Sequence, residues 1–326
     1  MTLLLSDADI RAVLGWRPAV DALRAAYATA GDGARYPGRS IARGDGTWLR
    51  VLPGVPGDGG LMGAKIIAAA PGAGRVSYLI ALFDQATTQL VALLDGNTVT
   101  GYRTAATSAL AADLLAVPGP LAVSVLGSGF EAGKHLRAIA AIRDVTSARV
   151  YSPRAASRER FAADATDLPF PVKPAASPRE TVDGAALVIC AARSHDESPI
   201  LLGRWLAPGM TVVSVGSTLP EQREVDAETI TRADVIVADV VDEVLRDTGD
   251  LIAARAAGTD VAGRVTSLAD LVSGACGGRA HDGQVVLYKS VGSAVQDLAV
   301  AAMCVRAALD SGVGTQAPIP VEVVLK

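Results

Sequence analysis

The chain has 326 residues, of which 50 % are apolar and 20 % charged, a composition typical of a folded protein with a substantial core and not of a disordered one. Its 34 acidic and 30 basic residues leave a net charge of −4 without a long run of either sign, which argues against nucleic acid as a partner. The three cysteines are isolated in the sequence, so neither a disulfide framework nor a metal site is predicted.

The N-terminal segment MTLLLSDADI has no leading Lys or Arg, and Ser6 and Asp7 interrupt its apolar run before the core of an export signal can form. Every stretch of about 18 residues contains Gly, Pro or charge, so no membrane span is expected. We therefore expect a cytoplasmic protein without a membrane partner.

The first third of the chain predicts helices and then strands. A capping-box pattern from Ser6 to Asp9 precedes amphipathic runs that predict helices over 9–14 and 19–30. Turn-rich segments then separate four short apolar runs, which predict a small antiparallel sheet: 48–52, 62–68, 77–83 and 89–94. An Ala-rich helix is expected from Thr104 to Ala116, and VPGP at 117–120 ends it, so we place a domain boundary there.

Beyond the boundary, strands and helices alternate, which predicts a parallel, doubly wound sheet. The predicted strands are 121–126, 148–151, 186–190, 211–215 and 235–238. A last amphipathic helix over 294–309 is expected to pack on the N-terminal domain. The fold class is therefore α/β, with a Rossmann-type domain over 118–291 and a second, α+β domain formed by 1–117 and 292–326.

A glycine turn joins the first strand of the Rossmann-type domain to its helix. The residues after this strand are Gly127-Ser128-Gly129-Phe130-Glu131-Ala132, a GxGxxA fingerprint in its full strand-turn-helix context. Gly127 permits the tight turn, Gly129 removes a Cβ that would meet a pyrophosphate, and Ala132 allows close helix packing. The turn therefore predicts dinucleotide binding.

The end of the second strand indicates which dinucleotide is bound. NAD sites usually present an acid there, whereas this chain has Tyr151-Ser152-Pro153-Arg154. Ser152 and Arg154, with Ser157 and Arg158 close behind, are suited to a 2′-phosphate. NADP(H) is therefore favoured over NAD(H), unless the arginines are only a solvated helix start.

Seven segments resemble motifs of the ornithine cyclodeaminase/mu-crystallin family: PGR (37–39), LPG (52–54), GAK (63–65), DGNTVTGYRTAATSALA (95–111), LGSGFEAGKHL (126–136), PGMTVVSVGSTLPEQREVD (208–226) and YKSVGSAVQDLAVA (288–301). The resemblance implies a homodimer built from the first domain and the C-terminal helix. It also implies that a small α-imino or α-amino acid is bound between that domain and the nucleotide domain.

The resemblance places three cations, Arg39, Lys65 and Arg103, around the substrate carboxylate. Physical reasoning agrees, because burying unpaired charge in an aliphatic region is costly unless an anion binds, although surface cations or internal ion pairs are the alternative. Lys65 is also a candidate proton donor to the imine nitrogen. Asp297 matches a substrate-binding position of the family, while its place at a helix start also suits a dipole role.

The matching motifs supply the remaining predicted cofactor contacts, which are Arg103, Thr104, Phe130, Glu131, Val215, Gly216, Ser217 and Gly292. Thr218 is a departure, because cyclodeaminases of the family carry a catalytic Asp there and a Thr hydroxyl does not act as a base near neutral pH. Thr218 is predicted to orient the substrate nitrogen or a water in an imine reductase.

The predicted activity is NAD(P)H-dependent reduction of the C=N bond of a small α-imino acid. The substrate is a cyclic ketimine such as Δ1-pyrroline-2-carboxylate or Δ1-piperideine-2-carboxylate, or an open-chain imine as in an amino-acid dehydrogenase. One alternative is an ornithine or lysine cyclodeaminase with bound NAD, with Asp297 or Glu224 as the base. Another is an NADPH-binding protein like mu-crystallin that binds a ligand without catalysis.

Overall fold

The computed structural model describes residues 1–31, 33–192, 198–319 and 321–324. The strands are β1 (Thr2–Leu5), β2 (Ser40–Gly44), β3 (Thr47–Gly54), β4 (Leu61–Ala70), β5 (Arg75–Asp84), β6 (Leu90–Asp95), β7 (Leu121–Leu126), β8 (Val145–Tyr151), β9 (Val172–Pro174), β10 (Leu187–Cys190), β11 (Thr211–Ser214), β12 (Val235–Ala238), β13 (Val265–Ser267), β14 (Val286–Lys289) and β15 (Thr315–Ala317). The α-helices are α1 (Asp7–Val13), α2 (Trp16–Ala28), α3 (Gly96–Leu115), α4 (Phe130–Ala140), α5 (Ala155–Ala163), α6 (Pro178–Val182), α7 (Ala227–Arg232), α8 (Val241–Asp247), α9 (Gly249–Ala256), α10 (Leu268–Ser273) and α11 (Ala294–Ser311).

The chain divides into two compact units. Unit 1 comprises Met1–Thr104 and Ser293–Lys326, and unit 2 comprises Ala105–Gly292. The division falls inside α3, whereas the VPGP segment on which the expected boundary rests follows that helix. None of the helices in the described part of the chain is long and apolar enough to cross a membrane.

Unit 1 contains a seven-stranded sheet in the order β15-β1-β6-β5-β4-β3-β2. The prediction of a small, purely antiparallel sheet is wrong, because β1 pairs in parallel with β6 and antiparallel with β15. The N-terminal apolar run forms this extra strand, and the side chains of Leu3 and Leu5 are buried. Hydrogen bonds to these two neighbouring strands satisfy the backbone of β1. The run is too short to show the alternation of apolar and polar residues that predicts a strand.

The two faces of this sheet differ in exposure. α11 packs against β3, β4 and β5, and Lys65, Ile67 and Ala69 on β4 are buried. The alternate positions form a more exposed apolar surface, here called the open sheet face, which consists of Leu49, Val51, Ile66, Ala68 and Leu79. The side chains of Leu49 and Leu79 are 44 % and 41 % exposed.

α3 begins at Gly96, so the prediction that this helix starts at Thr104 is wrong. The first residues of the helix include Gly, Asn and Thr, which are poor helix formers. Asp95 nevertheless caps the helix by accepting the backbone N–H of Asn97 at 2.8 Å, and Val99 is completely buried. Capping and burial therefore outweigh weak local propensity.

Unit 2 contains an eight-stranded, fully parallel sheet in the order β13-β12-β14-β11-β10-β7-β8-β9. This confirms the predicted Rossmann-type, doubly wound fold, with β9, β13 and β14 as additional strands. The order runs in opposite directions from β7, through β8 to β9 and through β10 to β11. Such a switch point is where open α/β sheets bind ligands, outside the carboxyl ends of the strands.

Candidate functional site

In unit 1, two of the predicted cations converge on one carboxylate. Lys65 lies in the middle of β4, Arg103 on α3 and Asp297 in the first turn of α11. Asp297 Oδ1 is 2.7 Å from Lys65 Nζ and 3.0 Å from Arg103 Nε. Asp297 is completely buried and is the counter-ion of both cations, and it lies in the first turn of α11, where a carboxylate also interacts favourably with the helix dipole.

Further hydrogen bonds hold the Arg103 guanidinium. Arg103 Nη1 donates to Gln296 Oε1 at 2.5 Å, and Gln296 Nε2 donates to the Tyr27 hydroxyl at 2.9 Å. Sequence reasoning missed both partners. Gln296 stands beside Asp297 in a motif already singled out, whereas Tyr27 carries no local signal because it lies in α2, far away in the chain.

The electrostatics of this group favour an anion. The pKa of Lys65 is lowered to about 8, chiefly by burial; Asp297 opposes this shift, and the positive charges of Arg103 and Arg39 add to it. Lys65 and Arg103 carry two positive charges against the one negative charge of Asp297, and all three side chains are buried. A ligand carboxylate would balance that excess.

In unit 2, the glycine turn has the geometry that a dinucleotide requires. Gly127 has φ +124°, and a Cβ there would lie 2.5 Å from the carbonyl oxygen of Ala191. A Cβ on Gly129 would meet nothing within 4 Å, so the surface above this residue is open. Gly129 is the N-cap of α4, and no described side chain caps that helix. The backbone N–H groups there thus fit a pyrophosphate.

The neighbouring residues of this turn take different places. Phe130 is 55 % exposed, Ser128 is half-buried and Ala132 is buried against the sheet. The Glu131 carboxylate lies near His135, with Oε2 3.8 Å from Nδ1. His135 is completely buried, and its Nε2 is 3.0 Å from Ser108 Oγ on α3.

The end of β8 presents a polar, basic tip. Ser152 is buried, Ser157 is half-buried and Arg154, the N-cap of α5, is exposed. Arg158 folds back, with Nη1 donating to the carbonyl oxygen of Ser152 at 3.0 Å and the guanidinium 5.7 Å from the centre of the Tyr151 ring. Arg154 and Arg158 therefore lie in the segment that follows β8, where an NAD site would carry an acid.

The turn after β11 is held by local hydrogen bonds. The Val215 N–H donates to the Cys190 carbonyl oxygen at 3.1 Å. Ser217 Oγ donates to the carbonyl oxygen of Gln222 at 2.6 Å, and the Thr218 N–H donates to Gln222 Oε1 at 3.1 Å. The half-buried Thr218 thus lies in an ordered turn at the carboxyl end of the sheet.

Two predicted cofactor residues lie where the chain passes between the units. Thr104 is on α3, where its Oγ1 donates to the Thr100 carbonyl oxygen at 2.7 Å. Gly292 has φ +84°, and its N–H donates to Asp239 Oδ2 at 2.7 Å. Asp239, which sequence reasoning missed, also accepts from Ser290 Oγ at 2.6 Å.

A second group of buried polar side chains, here called the Glu224 cluster, consists of Ser214, Glu224, Asp250 and Lys289. Lys289 Nζ is 2.8 Å from Asp250 Oδ2 and 3.0 Å from Ser214 Oγ. The pKa of the Glu224 carboxyl is raised to about 7, chiefly by burial; Lys289 opposes this shift and Asp250 adds to it. The sequence offers one signal for this cluster: Lys289 directly follows an apolar run in VVLYK, and a lysine at the end of a buried strand needs an acidic partner.

Within residues 1–31, 33–192, 198–319 and 321–324, no three His, Cys, Asp or Glu side chains are placed to hold a metal ion. The three histidines of the sequence, His135, His195 and His281, do not have the spacing of metal ligands, and His195 lies outside the described residues.

Comparisons with known proteins agree on one family. The model of the ornithine cyclodeaminase/mu-crystallin family matches residues 20–312. The ketimine reductase mu-crystallin of Mus musculus is 33 % identical over 233 residues, which cover 72 % of this chain and 70 % of that protein.

Two solved structures share the fold across almost the whole chain. The Δ1-pyrroline-2-carboxylate reductase of Thermococcus litoralis, in complex with NADH and L-proline, has a TM-score of 0.89 and 28 % identity, covering 97 % of this chain and 100 % of its own. A probable ornithine cyclodeaminase from Bordetella pertussis Tohama I has a TM-score of 0.86 and 30 % identity with the same coverage.

Proposed function

Because the chain belongs to the ornithine cyclodeaminase/mu-crystallin family, we propose that it is an NAD(P)H-dependent reductase of the C=N bond of a small α-imino acid. The observation that carries the proposal is the buried group of Arg103 and Lys65 around Asp297, with the charge of Arg39 nearby. Such an excess of buried positive charge suits a small carboxylate. A cyclic ketimine such as Δ1-pyrroline-2-carboxylate or Δ1-piperideine-2-carboxylate carries that carboxylate beside the C=N bond.

The reaction needs a carboxylate clamp, a hydride and a proton. When bound, the nicotinamide supplies the hydride to the imine carbon. The Arg103 guanidinium, held by Gln296, orients the substrate carboxylate. Its positive charge also makes the neighbouring imine carbon more electrophilic. Lys65 Nζ delivers the proton to the nitrogen, so that the C=N double bond becomes CH–NH while the cofactor is oxidised. A lysine with a pKa near 8 is suited to this donation at neutral pH.

Thr218 favours reduction over deamination and ring closure. Its hydroxyl does not titrate near neutral pH, so it orients a nitrogen or a water without acting as a base. The two carboxylates considered as substitute bases are already engaged, Asp297 with Lys65 and Glu224 with backbone N–H groups. The names of the mouse and Thermococcus litoralis relatives support the same reaction class.

NADPH is the proposed cofactor. Support comes from Arg154 and Arg158, which lie in the segment that follows β8, where a 2′-phosphate would lie, and from the absence of an acid in Tyr151–Arg154. Gly127 and Gly129 receive the pyrophosphate. Further contacts with the cofactor are proposed for Thr104, Val215, Gly216, Ser217 and Gly292.

The proposed assembly is a homodimer that covers the open sheet face. This face carries exposed Leu49 and Leu79, and apolar surfaces of this kind on a folded protein commonly mark an interface. A second copy of the chain is the proposed occupant, because a two-fold arrangement pairs the same surface with itself.

The proposal is tested by following NADPH absorbance with Δ1-pyrroline-2-carboxylate and, separately, with Δ1-pyrroline, which has the same ring without the carboxylate. The cation group predicts that kcat/KM for the carboxylated imine is at least about 100-fold higher, because a buried charge-assisted pair contributes several kcal/mol. Equal rates with the two imines contradict the assignment of these residues to the substrate.

A further inference from the structure

The Glu224 carboxylate joins two turns of unit 2. Glu224 Oε1 accepts the backbone N–H of Ala192 at 2.7 Å, after β10. Glu224 Oε2 accepts the backbone N–H of Gly216 at 2.7 Å, after β11, and Ser214 Oγ at 2.9 Å. All three donors converge on one completely buried side chain. A carboxylate is suited to this place because both of its oxygens accept hydrogen bonds.

The rest of the Glu224 cluster holds this carboxylate in position. Asp250 Oδ1 accepts the backbone N–H groups of Glu224 and Val225 at 2.8 and 3.1 Å. Asp250 Oδ2 pairs with Lys289 Nζ, which also donates to Ser214 Oγ. The lysine thus supplies a positive charge near two buried carboxylates and leaves the Ser214 hydroxyl hydrogen directed at Glu224.

The turn after β11 is built around this side chain. A Cβ on Gly216 would lie 2.2 Å from Glu224 Oε1, so a larger residue there would displace the carboxylate or the turn. The carboxylate therefore determines how closely the backbone of Gly216 approaches that of Ala192.

The sheet order indicates what these two turns would meet. β7, β8 and β9 form one mononucleotide half of the sheet, and β10 and β11 begin the other. In the proposed complex, the glycine turn and the end of β8 bind the pyrophosphate and the adenosine half of the cofactor. The turns after β10 and β11 consequently lie on the side of the nicotinamide and its ribose.

We propose that Glu224 is a positioning residue that fixes the 191–192 and 215–217 turns as the seat of the nicotinamide half of the cofactor. The inference rests on the proposed function, since it requires that the chain bind a nicotinamide dinucleotide. Glu224 acts through the backbone N–H groups that it holds.

The test compares the complete cofactor with a fragment that lacks nicotinamide. Binding of NADPH and of 2′-phospho-ADP-ribose is measured by titration calorimetry for the unmodified chain and for Glu224→Gln, at a pH above 7 where the Glu224 carboxyl is mostly ionised. The Gln amide retains the shape but directs an NH2 group at one of the backbone donors, so one turn must move. We expect the Kd for NADPH to rise about tenfold and the Kd for 2′-phospho-ADP-ribose to change less than about twofold.

Asp226→Asn is the matched control. Asp226 lies two residues further along the same segment, and it accepts the N–H groups of Gly203 and Thr229 at 2.8 Å, away from both turns. This variant is expected to leave the ratio of the two Kd values unchanged. If Glu224→Gln does not fold, Ser214→Ala removes only one donor to the carboxylate, and about a threefold loss confined to NADPH is expected.

The possible results separate the two proposals. Equal weakening of NADPH and 2′-phospho-ADP-ribose binding, or no change in either, overturns the role of Glu224. Failure of the unmodified chain to bind NADPH or NADH overturns the proposed function itself.

Discussion

Lys65 places an ammonium group in the centre of a strand, where burial disfavours its charge. The pKa of about 8 means that Lys65 in the free protein is mostly protonated below pH 8 and mostly neutral above it. Asp297 preserves the charge at neutral pH, because its negative charge opposes the combined effect of burial, Arg103 and Arg39. Asp297 therefore supports the proposed role of Lys65.

This pKa predicts a pH dependence of the reaction. If protonated Lys65 holds the substrate carboxylate or supplies the proton, kcat/KM for imine reduction falls as the pH rises through about 8. A pH profile of NADPH oxidation measures this alkaline limb, the fall of kcat/KM above pH 8. Lys65→Arg is the control because a guanidinium stays charged. Lys65→Met is expected to lose activity about 100-fold or more. Finding the same limb in Lys65→Arg would contradict the assignment.

At the scale of elements, α5 and the end of β8 carry the predicted cofactor preference. Replacing Arg154 with Ala is expected to raise the KM for NADPH about tenfold and leave that for NADH nearly unchanged, because only NADPH has a 2′-phosphate. Steady-state kinetics with both cofactors measure the difference. Arg160→Ala, an exposed arginine further along the same helix, is the control. Equal effects of Arg154→Ala on the two cofactors would reject the preference.

Elements were predictable from sequence where a local pattern determines them. The glycine turn has its signal within six residues, and the alternation of strands and helices identifies the parallel sheet. The start of α3 and the strand β1 were missed, because a buried cap and strand partners far away in the chain decide them. Ion pairing of Lys65 with Asp297 was equally hidden, since the two residues are 232 positions apart.

The same distinction applies to the Glu224 cluster. Glu224 and Asp250 are polar residues in ordinary sequence surroundings, and nothing local indicates that both become completely buried. Only the parallel pairing of β11 with β14 brings Lys289 beside Ser214. Such a cluster depends on which strands are neighbours in the sheet, and a local sequence pattern does not contain this information.

At the scale of the whole molecule, the open sheet face predicts the assembly. Leu79→Glu introduces a charge into the proposed interface of both copies, so analytical ultracentrifugation is expected to show a mass near that of one chain. Val76→Glu is the matched control, because Val76 is also exposed on β5 but its side chain lies on the opposite face. A monomeric unmodified chain, or a Leu79→Glu dimer as stable as the unmodified one, would contradict this assembly.

The most direct measurement of the central claim follows NADPH absorbance with Δ1-pyrroline-2-carboxylate, with ammonia release from ornithine measured in parallel. A reductase with Thr218 in place of a carboxylate base is expected to oxidise NADPH with the imine and to release no ammonia from ornithine. Ammonia from ornithine without net consumption of cofactor would contradict the account and identify a cyclodeaminase with another base. Tight NADPH binding without turnover of any imine would contradict it in favour of a ligand-binding protein.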